Sequence, residues 1–197
     1  MSTTTAPTLA TRLLGSREGA AAIAQNVMLV VVGIAALWIS ARIKVPFYPV
    51  DMTLQTMVVL MIGAAYGWRL GGATVALYLA QGAMGMPVFT GTPEKGLGIA
   101  YMMGPTGGYL IGFFVAAVIT GWLLERFGTR SILAVGGAML FADTVLFALG
   151  LLWLGVLFGW DKPILEWGLY PFALGECTKI ALAAALTAGI ARLAKNG

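Results

Sequence analysis

The chain has 197 residues, of which 59% are hydrophobic and only 10% charged, with a formal net charge of +4. A soluble domain is typically about 25% charged, so this composition excludes an ordinary water-soluble fold and points to a polytopic membrane protein. With no histidine and a single cysteine, Cys177, the sequence also argues against common metal sites, imidazole acid–base chemistry and an internal disulfide.

Residues 1–22 are polar and lack the continuous apolar core of a cleaved signal peptide; they are expected to form a cytoplasmic N-terminal segment. Residues 23–197 are expected to form one all-α integral membrane domain. A spanning helix needs about 20 mostly apolar residues, and six are predicted, over 23–43, 52–66, 70–84, 106–124, 131–158 and 172–193. In the first, Ala36 and Ser40 stand four apart. Small residues at that spacing let helices approach closely in lipid, which makes this stripe a candidate docking face for a partner membrane subunit. Gly63, Gly67 and Gly71, and Gly108 with Gly112, repeat the spacing.

The second and third predicted helices are short for a crossing and are expected to tilt against protein or be partly re-entrant. Gln55 opens the second between Thr53 and Thr56, and its amide both donates and accepts. The loop that follows the third helix carries Phe89 and Tyr101, and Tyr109 lies just beyond it; these rings are candidates to wall an apolar ligand body. The same loop ends in Gly104, Pro105, Thr106, Gly107 and Gly108, which open straight into the fourth helix. Glycine removes the side chains that would keep backbone N–H groups away from a small ligand. Non-helical backbone also survives in a membrane only where it lines a cavity or is buried in protein.

The fifth predicted helix is over-long, is expected to break near Gly150 or Gly155, and carries Asp143. The sixth carries Glu176 and Lys179, three residues apart and therefore on one face. Each of these three charges costs at least about 2.5 kcal/mol at the membrane centre, so each needs a partner or a cavity. Two uses of the Glu176–Lys179 pair remain open: an internal lock on helix packing, or a cation and an acceptor offered to a polar ligand. Cys177, in the same apolar helix, is expected to be a small buried residue.

The charges also predict orientation. Arg12, Arg17, Arg69, Arg126, Arg130, Arg192 and Lys195 fall on one side, and Arg42, Lys44, Lys95 and Lys162 on the other. The basic excess puts both termini in the cytoplasm and the two Pro/Gly-rich loops, 45–52 and 84–108, on the outer face. The net charge is thus a topology signal set by the lipid bilayer and gives no support for nucleic-acid binding. No GxxxxGK[ST], HExxH or GxSxG motif is present, which leaves no usual ATP site or hydrolase centre.

Four stretches, VPFYPVDMTLQT (45–56), LYLAQGAMGMPVF (77–89), MGPTGGYLIGF (103–113) and GECTK (175–179), resemble the biotin-specific substrate-binding (S) subunit of energy-coupling-factor transporters, the BioY family. The resemblance implies a six-helix protein of the bacterial cytoplasmic (inner) membrane that binds biotin from the outer face, uses no cofactor and catalyses nothing itself. It also implies partners: one membrane coupling subunit and two ATPase subunits that supply the energy. Carried over, the family's binding site nominates Tyr101, residues 104–109, Glu176 and Lys179. The family often has Asp where this chain has Glu176, and glycines where it has Pro93, Glu94 and Lys95.

Biotin's chemistry suits these residues. The loop amides and Gln55 can serve its polar ends, Tyr101, Tyr109 and Phe89 its apolar middle, and Lys179 either the carboxylate or the ureido carbonyl. The competing expectations are a subunit of the same fold for another small vitamin, a membrane-embedded enzyme with Glu176 and Asp143 as acid and base, and an assembly protein whose charges are structural.

Overall fold

The computed structural model describes residues 8–15, 17–129 and 131–196, so residues 1–7 of the N-terminal segment and Arg130 of the basic count lie outside the described residues. The chain runs α1 (Leu9–Leu14), α2 (Gly19–Arg42), β1 (Lys44–Val45), β2 (Met52–Thr53), α3 (Gln55–Ala83), α4 (Gly98–Met102), α5 (Gly107–Phe127), α6 (Ile132–Phe158), α7 (Ile164–Gly168) and α8 (Tyr170–Asn196). Among the described residues, five helical stretches are long and apolar enough to cross a membrane: Gly19–Arg42, Gln55–Ala83, Gly107–Phe127, Ile132–Phe158 and Ile164–Ala194.

The second of these is not a straight rod. At a rise of about 1.5 Å per residue, Gln55 and Tyr78 would stand about 35 Å apart in one helix. Instead Gln55 Nε2 donates to the Tyr78 hydroxyl at 2.7 Å. The chain reverses at Gly67, whose φ of 79° and ψ of 174° are non-helical. A positive φ strains any residue with a Cβ, and a Cβ here would also strike the Glu125 carboxylate. That carboxylate accepts the Trp68 amide at 3.1 Å and holds the turn. The reversal produces two antiparallel limbs, 55–66 and 68–83, close to the second and third predicted helices. At about 18 and 24 Å they are as short as the sequence implies.

Glycines let the limbs and α5 approach backbone to backbone. A Cβ on Gly63 would overlap the Ala117 carbonyl, and one on Gly121 the Trp68 amide. Next, α6 packs on α5 where Gly112 faces Leu146, and α8 closes against α6 and α3. On the edge of the bundle, α2 packs against α3 and exposes Ile23, Val27, Val31 and Ile39. Of its small-residue stripe, Ala36 is half-buried, whereas Ser40 is 2% exposed and donates to the Leu37 carbonyl at 2.9 Å. Ser40 is therefore turned into the bundle.

The helical bundle also carries one short antiparallel pair, β1 with β2, Lys44 opposite Thr53 and Val45 opposite Met52. The N-terminal segment includes a helix, α1, capped by the Thr8 hydroxyl and buried through Leu9 and Ala10. Two expectations are corrected. The fifth predicted helix does not break: α6 runs through Gly150 and Gly155, where the missing side chains admit the Tyr109 and Trp160 rings. Cys177 is exposed on α8, not buried.

Candidate functional site

Beneath the loops that follow α2 and α3, the bundle holds a mostly apolar cavity, the kind of concave site with a few polar groups that small molecules use. Its wall brings together six of the expected residues: Gln55, Phe89, Tyr101, Thr106, Tyr109 and Glu176. It adds Asp51, Thr56, Thr90, Phe113, Phe147 and Phe172. Of these only Thr56 carries a sequence hint, as a neighbour of Gln55. The others are ordinary loop polars and core aromatics until the fold assembles them.

The polar side of the wall is built on the α8 pair. Lys179 Nζ donates to the Thr53 carbonyl at 2.8 Å, to Thr56 Oγ1 at 2.7 Å and to Glu176 Oε1. An ammonium has three donors, and all three are used. Thr56 Oγ1 in turn donates to Glu176 Oε2 at 2.8 Å. Each oxygen of the Glu176 carboxylate thus has one internal partner and keeps acceptor capacity towards the cavity. Lys179 itself lies behind this wall and lines a lateral groove beside Met52 and Leu174. Gln55 is braced by Tyr78 and by the Thr53 hydroxyl at 3.4 Å.

Aromatic rings make two apolar walls. Phe89 stacks on Tyr101 at 5.1 Å and meets Tyr78 edge-on at 5.6 Å. Phe172 tilts against Phe47 and Phe147, and Tyr109 meets Phe147 edge-on. Burial pushes the Tyr101 phenol pKa up to about 12, so it acts as a neutral donor, its O–H hydrogen-bonding to the Thr90 carbonyl at 2.7 Å.

The glycine-rich loop also packs helices together. Gly104, Pro105, Gly107 and Gly108 are not among the lining residues. A Cβ on Gly107 would strike the Met102 carbonyl, and one on Gly108 the Trp153 side chain. The Trp153 indole donates to the Gly104 carbonyl at 2.9 Å. These glycines seat α5 against α6, and Thr106, as the N-cap, is what the loop presents to the cavity. Asp143 lies apart too, in a groove between α6 and α8 that it shares with Glu176 and the exposed Cys177.

A set of contacts pins the covering loop. Arg42 donates to the Thr92 carbonyl at 3.1 Å and to the Pro87 carbonyl, and Tyr78 donates to the Val88 carbonyl at 2.8 Å. Lys95, from the loop tip, bridges to Asp51 at 2.8 Å, and Lys44 reaches the same oxygen at 3.3 Å. Burial alone would raise the Asp51 pKa, but the Lys95 and Lys44 ammoniums outweigh it and hold the carboxyl below its ordinary value. A lowered pKa means that the bridge is fully formed above the usual carboxylate range and is lost only as pH falls through the lowered value. The lysines are half-exposed, so solvent screening limits the bridge to about 1 kcal/mol. Asp51→Asn should therefore speed tryptic cleavage after Lys95 several-fold at pH 8 with little change in melting temperature. An unchanged cleavage rate would show that the other contacts hold the loop alone.

Comparisons with known proteins agree with one another. The BioY family model matches residues 21–196. The chain is 38% identical over 184 residues to the biotin transporter BioY of Rhodobacter capsulatus, covering 85% of this chain and 94% of that one. It is 35% identical over 160 residues to the probable biotin transporter BioY of Pyrococcus horikoshii, covering 81% and 92%. In structure it resembles the S-component for biotin from an ECF-type ABC transporter, with a TM-score of 0.76, 26% identity and coverage of 92% and 96%.

Proposed function

The chain belongs to the BioY family, and we propose that it captures biotin in this cavity and takes it across the membrane as the S subunit of an energy-coupling-factor transporter. The observation that carries the reading is the buried Glu176 carboxylate, braced on both oxygens by Lys179 and Thr56 and facing the cavity. A ligand carboxylate placed there would meet like charge, and the Lys179 ammonium is already saturated. A ureido ring, whose N–H groups seek an acceptor, suits it. The acid end of the ligand then belongs at the N-terminus of α5, where first-turn amides lack intrahelical acceptors and the helix dipole is positive. Phe89 and Tyr101 on one side, and Phe147 and Phe172 on the other, fit the apolar thiophane between them. The transporter relatives and structural neighbour support a non-enzymatic role.

The finer topology follows the same reading. Counting the limbs of α3 separately makes six crossings, and the basic excess on the side of both termini makes that side cytoplasmic. The loops over the cavity then face outward, in the cytoplasmic membrane of a bacterium. The partners are a membrane coupling subunit and two ATPase subunits, with the open face of α2 around Ala36 available for docking.

Calorimetric titration of the detergent-purified chain tests the proposal. Biotin should bind one-to-one with nanomolar affinity, about −12 kcal/mol, while thiamine and riboflavin give no heat. A folded sample that ignores biotin would refute it.

A further inference from the structure

Among the described residues, four buried side-chain atoms have no hydrogen-bond partner: Oγ1 of Thr90, Thr120 and Thr129, and Oδ1 of Asp143. Of these residues, Thr90 alone lines the central cavity. It is 4% exposed, and an unpaired buried hydroxyl is costly unless something else satisfies it. Its position is tightly set. The Thr90 carbonyl accepts the Tyr101 hydroxyl at 2.7 Å, Phe89 before it stacks on the same ring, and Thr92 beyond it donates its hydroxyl to the Phe89 carbonyl at 2.6 Å. The framework holds the hydroxyl in place without satisfying it.

What lies near it indicates its partner. The Thr106 side chain also approaches the Tyr101 phenol, so Thr90 and the N-cap of α5 flank one ring. Thr90 and Thr106 line the same cavity, and the helix that Thr106 begins has no side-chain cap hydrogen bond at its positive end. An anion there would take a hydroxyl proton and helix amides together.

We propose that the Thr90 hydroxyl donates to the carboxylate of the bound ligand at the N-terminus of α5, and so selects a free acid over its neutral esters and amides. This rests on the assignment of biotin as the ligand. The test is titration of wild type, Thr90→Val and Thr90→Ser with biotin and with biotin methyl ester, each variant checked by its melting temperature. Thr90→Val should weaken biotin about 10- to 100-fold, the range for a hydrogen bond to a charged group. It should change the ester less than about threefold, and Thr90→Ser should restore the preference for the acid. Thr90→Ala carries the same test if the valine variant does not fold. Wild-type biotin affinity in a folded Thr90→Val, or equal losses for acid and ester, would overturn the role of Thr90 while leaving biotin capture intact. Failure of the wild type to bind biotin would overturn both.

Discussion

Lys179→Met should destabilise the bundle by about 3–5 kcal/mol and abolish tight ligand binding, because it leaves the buried Glu176 carboxylate without its counter-charge. Nothing else described is placed to compensate. Thr56 supplies one neutral hydroxyl to the carboxylate, and that hydroxyl is itself held by Lys179. Losing the ammonium also frees the Thr53 carbonyl, so the start of α3 loses its tie to α8. A lysine that only touched ligand would behave differently: its removal would weaken binding and spare the fold. The check is thermal unfolding in detergent, beside a double variant that adds Glu176→Gln. With both charges of the pair removed, the double variant should regain much of the stability and none of the affinity. A single variant that melts and binds like the wild type would show the pair to be hydrated and dispensable.

The ion pair was within reach of sequence reasoning because a spacing of three on a helix is a geometric statement and charge inside an apolar helix demands a reason. Its division of labour was not. Whether Lys179 faces a ligand or braces Glu176 depends on Thr53 and Thr56, which arrive from more than 120 positions away. The helices were legible for a similar reason, since apolar length is local. The reversal at Gly67 appears in the sequence only as a weak point between two short apolar runs. The glycine-rich loop was ambiguous because glycine serves two ends that look alike in one dimension: close approach of a ligand and close approach of a helix. At Gly107 and Gly108 an added Cβ would meet Met102 and Trp153, so the missing side chains serve helix packing. Asp51 and Thr90 were invisible as site residues because each acquires its role from the loop that folds over the cavity.

Gly82→Val should cost more than 100-fold in ligand affinity while lowering stability by only about 1–3 kcal/mol, the usual range for overpacking. Gly82 lies in the last turn of α3, and a Cβ there would overlap the far edge of the Phe89 ring. That ring has little freedom: it is 1% exposed, stacked on Tyr101 and held edge-on by Tyr78, which is itself fully buried. Open space for it lies in the cavity that it lines. The valine should therefore drive Phe89 inward, carry Thr90 with it and fill the ligand's volume. Adding Phe89→Leu should return part of the lost stability by making room. Titration beside melting curves separates the two effects, and wild-type affinity in a folded Gly82→Val would remove Phe89 from the binding wall. The backbone at Gly82 has no positive φ, so the position needs glycine for volume alone. The seven-residue spacing from Gly82 to Phe89 thus joins a helix end to the ring that shapes the site.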